Sequence, residues 1–366
     1  MLFSNRDFDM LRLLRWCRYI HAPSLTRAFS EEEILNLQAL SLVKRYKPGN
    51  AFVLTAKGNR LLDHVMQGLP PATPPAYREP DTTRRLRSSE IMLTAYQAGI
   101  DVFARDPSGL LPVQTLFLPS ISRGRGSNPW GSTRVAAISH IGDQLCSFHY
   151  VCPEIGRLAL NDEQAAFYNN TATLSDIPKA VIFSGPSYKS ILTELESTEA
   201  ETDARLTSYG EAYQLLTLPV FLVPCNATGA LQLRILSIPN YRQQLTHALL
   251  RSRYIPPPDT FPICDAFFRD APFLMAADMD LRRIDAALKA ADEQGIPQIG
   301  VAALLPQAKA ILNHLYLDAR KVEFYQLKDE LLLQVLGTPL PPYSPPQEVY
   351  RTQEGDVVGV PLIKAR

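Results

Sequence analysis

Three aspartates in the last third of the chain have the residue type and the spacing that a divalent metal site requires. Asp265 precedes a short apolar run, and Asp278 and Asp280 follow that run directly. Carboxylate oxygens that converge on Mg²⁺ or Mn²⁺ allow the metal to activate water for attack on a phosphodiester. The same acids at the end of a strand can instead cap the helix that follows. Of these two roles, which the sequence alone leaves open, we favour the cap.

Other groups of reactive residues are less specific. The turn Ser184-Gly185-Pro186-Ser187 follows a strand-like run and is typical of an anion-holding helix N-terminus, but it lacks the P-loop lysine and the G-x-S-x-G elbow. None of the six histidines lies at metal-ligand spacing from another, and the five cysteines form no C-x-x-C pair. We expect the cysteines to be reduced and buried. We therefore expect no cofactor, apart from the Mg or Mn that a nuclease would need.

The pattern of the first 67 residues indicates three helices, a hairpin and a fourth helix. Helices are predicted at about 6–20 and 23–29, and Ser30 before three glutamates predicts the N-cap of a third. Strands at about 44–50 and 51–55 form the hairpin, and Thr55 is placed to cap the last helix. This order of elements is that of a winged helix.

Two segments carry a resemblance to a known group of domains. Leu37-Gln38-Ala39-Leu40-Ser41-Leu42-Val43-Lys44-Arg45-Tyr46 and Phe52-Val53-Leu54-Thr55-Ala56-Lys57-Gly58 resemble the bacterial winged-helix pattern L-x-x-L-x-x-x-G-L-V-x-R … Y-x-L-T-x-x-G. Ser41 stands about where the pattern has glycine. The resemblance implies a DNA-binding domain whose third helix enters the major groove while its wing contacts the backbone.

The charge distribution restricts how such a domain could hold DNA. The 37 basic and 37 acidic residues cancel over the whole chain, but residues 1–90 hold 14 basic and 9 acidic ones. The predicted third helix opens with glutamates and has no Lys or Arg before Lys44, so we expect the wing and its flanks to grip the DNA backbone. The predicted DNA-binding residues are Arg18, Arg27, Lys44, Arg45, Lys47, Lys57, Arg60, Arg84, Arg85 and Arg87. Alternatively, these are solvated faces of a dimerisation or protein-docking module.

A second basic stretch, Arg123–Arg134, is rich in glycine and contains Trp130. It could fold around a nucleic-acid strand, with Trp130 stacked on a base. It could also be a surface loop that joins two strands, and this is the interpretation that we favour.

Proline-rich stretches divide the chain. We predict a winged-helix domain (1–67), a Pro-rich basic linker (68–87), a first α/β domain (88–250), a linker (251–262), a second α/β unit (263–340) and a Pro-rich tail (341–366). Ser88 is expected to cap a helix. Further helices are predicted at 161–168, 187–196 and 240–250, and strands at 113–118, 134–141, 144–151, 179–184, 220–223 and 231–238. The fold class is therefore α/β in the broad sense of mixed α+β.

A short motif occurs twice in the two α/β segments. The pattern P-x-x-K-x-I-L-x-x-L begins at Pro186 and again at Pro306, each time after an apolar strand-like run. The repeat favours two related halves, although strand, loop and helix form a common unit and chance similarity stays open.

The order Asp, Asp-x-Asp, strand and helix resembles the core of restriction-endonuclease-like folds. Together with the winged helix it resembles the replication-relaxation family of bacterial plasmids and mobile elements. The resemblance implies Asp265 as the first acid and Asp278 and Asp280 as the second motif. Active members place a lysine just after the second acid, and Leu281-Arg282-Arg283 stands there instead.

We therefore expect a non-catalytic DNA-binding protein of a mobile element, active in replication, mobilisation or their regulation. One alternative is a metal-dependent nuclease that uses Asp265, Asp278 and Asp280. The other is a protein-interaction subunit, a homodimer or a partner of another protein. Because the sequence opens without a signal-peptide pattern and has no run long enough to span a bilayer, we expect a cytoplasmic protein that does not contact a membrane.

Overall fold

The computed structural model describes residues 3–47, 49–73, 79–121, 130–131, 133–154, 157–196, 206–314, 321–337 and 350–358. These residues form a mixed α+β fold. Its helices are α1 Asn5–Cys17, α2 Ala22–Ala28, α3 Glu31–Ala39, α4 Ala56–Val65, α5 Glu79–Gln97, α6 Leu160–Asn170, α7 Tyr188–Glu196, α8 Tyr209–Leu215, α9 Ala227–Leu236, α10 Tyr241–Leu250, α11 Leu281–Glu293, α12 Leu305–His314 and α13 Asp329–Leu336. None of the helices in the described ranges is long and apolar enough to cross a membrane.

The strands lie in five sheets of the described chain. They are β1 Phe3–Ser4, β2 Ile20–His21, β3 Val43–Tyr46, β4 Ala51–Leu54, β5 Asp101–Ala104, β6 Thr115–Phe117, β7 Val135–Ile141, β8 Gln144–Tyr150, β9 Arg157–Leu158, β10 Lys179–Gly185, β11 Thr207–Ser208, β12 Val220–Pro224, β13 Ala266–Phe268, β14 Ala271–Met275, β15 Ile299–Ala303, β16 Val322–Gln326, β17 Tyr350–Arg351 and β18 Val357–Val358.

Local capping explains where the first helices begin. The Ser30 hydroxyl accepts the N–H of Glu33, whose carboxylate accepts the Ser30 N–H in return, which completes a capping box at α3. Thr55 caps α4 by accepting the N–H of Gly58. Strands β2, β4 and β3 form an antiparallel sheet beside these helices. The predicted order of helices and hairpin in this region is therefore present.

Helix α5 joins the N-terminal elements to the rest of the protein. The prediction that a helix starts at Ser88 is wrong, because α5 begins at Glu79 and includes Ser88 as a buried interior residue. The later part of the predicted linker 68–87 is thus helical, and residues 74–78 lie outside the described ranges. Buried side chains such as Leu93 belong to one core that also holds Leu11 and Phe148. Burial against the N-terminal helices on one side and against β7 and β8 on the other stabilises this helix, although its first residues are polar.

The largest sheet has the strand order β12-β10-β8-β7-β6-β5. Strands β8, β10 and β12 run parallel, and β7 is antiparallel to β8 and β6. The interior strand β10 is buried over six of its seven residues. A continuous apolar run is expected for a parallel strand that is covered on both faces.

A second sheet has the order β13-β14-β15-β16. Its first pair is antiparallel and the next two pairs are parallel. The run β7-β8-β10-β12 of the larger sheet has the same sequence of directions. In both sheets the P-x-x-K motif opens the helix after the third of these strands, α7 or α12.

One predicted strand is a helix. The alternating run 231–238 predicts a strand, but most of it belongs to α9. Asn226 caps this helix by accepting the N–H of Gly229 at 3.2 Å. Gly229 packs so closely on the preceding strand that a Cβ there would overlap the backbone oxygen of Pro224. The packing of α9 on β12, together with the Asn226 cap, therefore outweighs the period of the side chains.

The end of the described chain returns to its beginning. Strand β17 pairs with β1, with Phe3 opposite Arg351, and β18 pairs with β17. Part of the predicted tail 341–366 is therefore an ordered hairpin, while residues 341–349 and 359–366 lie outside the described ranges. All five cysteines are free and buried, as predicted.

Candidate nucleic-acid interface and aspartate array

The β3–β4 hairpin carries the most accessible group of predicted DNA-binding residues. Lys44, Arg45 and Lys47 are all exposed. Arg45 donates a 2.7 Å hydrogen bond to the side-chain oxygen of Asn50 across the turn, which holds its guanidinium at the hairpin tip. The hairpin thus presents three cations to solvent.

Helix α4 adds two further exposed cations. It begins directly after β4, where the Thr55 hydroxyl donates to the Ser41 carbonyl at 2.6 Å and fixes the helix against the α3–β3 turn. Lys57 and Arg60 lie one helical turn apart, and the Lys57 ammonium donates to the Leu40 carbonyl at 3.0 Å. The hairpin and α4 follow each other in the chain, and all five of these predicted contacts are exposed. We call Lys44, Arg45, Lys47, Lys57 and Arg60 the hairpin surface.

Helix α3 has a different character. Its exposed residues include Glu31, Glu32, Asn36 and Leu35, whose relative exposure is 54%. Glu33 is held by Arg6 at 2.6 Å. A helix that reads the major groove beside phosphates requires donors and positive charge, and the exposed side chains of α3 supply neither in quantity.

Three other predicted contacts converge on a single acid. Arg84 and Arg85 lie 2.5 Å and 3.2 Å from Asp81, and Arg18 lies 3.9 Å from it. Burial opposes ionisation of Asp81, but Arg85 and Arg84 outweigh it and hold the pKa of this carboxyl below its ordinary value. Arg85 is only 7% exposed. These three arginines are therefore paired with an acid, and the hairpin turn lies close to them, since a Cβ at Gly49 would come within 3.0 Å of the Leu86 side chain of α5.

The remaining predicted contacts, Arg87 and Arg27, have other partners. Arg87 pairs with Glu154 at 2.8 Å, and the exposed Arg27 donates to the Ser24 hydroxyl at 3.1 Å. Trp130 is 1% exposed, with its ring centre 6.2 Å from that of Phe117. The suggestion that Trp130 stacks on a nucleic-acid base is therefore wrong, because its ring belongs to the core. Residues 122–129 and 132 of that stretch lie outside the described ranges.

Asp265 is positioned by an arginine rather than by another acid. The Arg283 guanidinium lies 2.5 Å from its carboxylate, and the N–H of Met275 donates to the same oxygen at 2.6 Å. Arg283 also donates to the carbonyls of Ile263 and Met275. These bonds hold the arginine beside Asp265, and its charge also acts on Asp278.

Asp278 is 1% exposed and lies in a complete hydrogen-bond network. One carboxylate oxygen accepts the Tyr241 hydroxyl and two N–H groups of Arg242, at 2.9 Å and 2.6 Å. The other accepts the N–H of Asp280 at 3.0 Å. Burial alone would raise the pKa of Asp278, but Arg242, Arg283 and the Tyr241 hydroxyl hold it below its ordinary value.

The surroundings of Asp280 shift its pKa in the opposite direction. It is the N-cap of α11 and accepts the N–H of Arg283 at 3.4 Å. Burial and then the nearby charge of Asp278 raise the pKa of Asp280 to about 6. The pKa values of Asp278 and Asp280 are therefore displaced in opposite directions. Asp278 is ionised at neutral pH, whereas the pKa of Asp280 is about 6.

The described residues contain no group of three His, Cys, Asp or Glu side chains placed to hold a metal ion. The sequence identified the three aspartates and Arg283, but no pattern in it pointed to Tyr241 and Arg242, which lie more than thirty residues before Asp278. Only α10, packed beside the end of β14, brings them there. The arrangement neutralises the acids and caps a helix.

Comparisons with protein-family models, with curated proteins and with solved structures found no match to this chain.

Proposed function

We propose that this chain is a DNA-associated, non-catalytic protein whose residues 3–66 act as a winged helix. The single observation that carries the proposal is the hairpin surface, on which exposed cations occupy a wing and the helix after it. The acidic outer face of α3 favours a grip on the DNA backbone over reading of bases in the major groove. Such binding should depend weakly on sequence and strongly on salt.

The neutralised aspartates support the non-catalytic part of the proposal. A two-acid metal site requires carboxylate oxygens that are free to accept an ion. Asp265 and Asp278 each bind an arginine instead. Incubation of supercoiled plasmid with the protein and Mg²⁺ or Mn²⁺ should therefore give no nicking. Metal-dependent nicking that Asp265→Asn removes would establish the nuclease alternative.

We also propose that the two mixed sheets, β12-β10-β8-β7-β6-β5 and β13-β14-β15-β16, contain one duplicated unit, in the manner of two restriction-endonuclease-like halves. Their shared strand directions and the equivalent place of the P-x-x-K motif support this origin. A role in replication or mobilisation of a mobile element rests on the family resemblance of the sequence.

The DNA-binding proposal is tested by fluorescence anisotropy with a labelled duplex of random sequence, titrated at several salt concentrations. The triple variant Lys44→Ala, Arg45→Ala, Lys47→Ala should weaken binding and lower the slope of log K against log salt by about 0.9 for each phosphate that the variant no longer neutralises. A control with the same change in charge replaces Arg269, Lys289 and Lys321, which lie on the smaller sheet and its helices.

The control should bind as the unmodified chain does. Binding that is insensitive to salt, or equally weakened binding in the two triple variants, would contradict the proposal. A chain that forms dimers and has no affinity for the duplex would favour the docking alternative.

A further inference from the structure

A pocket of about 540 Å³ opens between α7, α9 and α12, at the carboxyl ends of β10, β12 and β15. Its volume lies in the range of small-molecule sites. In sheets with parallel strands, ligands bind in the crevice outside the carboxyl ends of those strands. None of the residues of the hairpin surface and none of the three aspartates lines it.

The two copies of the P-x-x-K motif supply matching walls of this pocket. Lys189 and Thr193 line it from α7, and Lys309 and Asn313 line it from α12. Each pair is spaced i, i+4, so both side chains project from one face of their helix. Each half of the protein therefore contributes one cation and, one turn later, one neutral hydrogen-bonding group.

The two lysines are available to a ligand. Both are exposed, and neither has a hydrogen bond or an ion pair with the described residues. Glu196 also lines the pocket, at the far end of α7 and about 10 Å along the helix from Lys189 at 1.5 Å per residue. Positive charge therefore lies toward the starts of α7 and α12, where backbone N–H groups add to it.

A buried polar network fixes the two walls relative to each other. The Tyr188 hydroxyl donates to Gln232 at 2.7 Å and accepts from Gln307 at 3.1 Å. Gln307 also donates to the Ala277 carbonyl at 2.8 Å, and Gln232 donates to the Asp278 carbonyl at 3.0 Å. Because these groups are satisfied and buried, the base of the pocket is preorganised.

We propose that this pocket binds a phosphorylated small molecule of nucleotide size, whose phosphates pair with Lys189 and Lys309. Thr193 and Asn313 are placed to hydrogen-bond the rest of the ligand, and Leu192 and Pro224 give it an apolar surface. The site is independent of the proposed DNA contact, because the two use different side chains.

The test is isothermal titration calorimetry on the full chain, with ATP and inorganic pyrophosphate as probes at low salt. Both probes should bind, and ATP should bind more tightly if the nucleoside contacts the walls. Lys189→Gln and Lys309→Gln should each weaken binding by about tenfold, the effect of one charge-assisted hydrogen bond, and the double variant should weaken it by about a hundredfold. Lys289→Gln, an exposed lysine of α11, is the matched control and should leave binding unchanged.

No binding of either probe at millimolar concentration, or an unchanged affinity in the double variant, would overturn the proposal. The duplex assay on the same samples separates it from the DNA-binding proposal. The double variant should keep its affinity for DNA, and the hairpin triple variant should keep its affinity for ATP. Loss of duplex binding in the pocket variants, without binding of either small probe, would show that the lysines serve nucleic acid and that no small-ligand site exists.

Discussion

The substitution Asp280→Asn should stabilise the protein at neutral and alkaline pH. Asp280 is 8% exposed, and its pKa is raised from an ordinary 3.8 to about 6. Ionisation of this side chain is therefore harder in the folded chain than in the unfolded chain. Asparagine removes the charge and is as good an N-cap as aspartate, so the start of α11 should be kept.

The magnitude follows from the displacement of the pKa. A difference of about 2 units corresponds to a free energy of about 3 kcal/mol, at 1.36 kcal/mol per unit. Because the folded pKa is the higher one, the contribution of Asp280 to stability is fully present below pH 3.8 and is lost as the pH rises through 6. The advantage of the asparagine variant should thus grow from well under about 1 kcal/mol at pH 4 to at most about 3 kcal/mol at pH 8.

Urea unfolding at pH 4, 5, 6, 7 and 8, followed by circular dichroism, measures this difference in the free energy of unfolding. The control is Asp285→Asn on the same helix, where the acid is half exposed and pairs with Lys289. It should change stability by less than about 0.5 kcal/mol, without the same rise with pH. A destabilised Asp280→Asn protein at pH 8, or a difference that does not vary with pH, would refute the electrostatic reasoning.

Three further predictions concern packing and the basic region. Arg242→Ala should lower the free energy of unfolding by about 3–5 kcal/mol in urea titrations, because it leaves the buried Asp278 carboxylate without its ion pair, and the added change Asp278→Leu should recover part of the loss. Gly229→Ala should lower the melting temperature, since its Cβ would overlap the backbone oxygen of Pro224; an unchanged melting temperature would contradict the close packing of α9. Glu354→Gln should strengthen duplex binding in the anisotropy assay at low salt, because Glu354 shares a pocket of about 380 Å³ with the basic side chains of α4; equal affinity would show that the C-terminal hairpin does not oppose DNA.

The correct sequence predictions are those that depend on neighbours along the chain. Ser30 and Thr55 cap helices because their hydroxyls accept N–H groups three residues ahead. The continuous apolar run of β10 predicts a buried strand, because strands covered on both faces have such runs. The propensity and capping rules describe such short-range causes well.

The failures have causes at longer range. Burial between the N-terminal helices and the large sheet stabilises α5 across Ser88, where the local pattern predicts a cap. The run 231–238 alternates as a strand would, yet most of it packs as a helix on β12. In both cases tertiary burial outweighs local preference.

The candidate sites also have some features that follow from the sequence and others that only the fold decides. The sequence by itself determined which residues are charged: the basic hairpin, the acids at the start of α3, the three aspartates and the repeated lysine motif. Only the tertiary structure decided which of the three aspartates are neutralised, since Asp265 pairs with Arg283 and Asp278 receives Arg242 from α10. It also brought Lys189 and Lys309 to one pocket. The physical reason is that the pairing of a charge depends on distance in space and on burial. Lys189 and Lys309 are 120 residues apart in the sequence, so their distance in space is set by the fold.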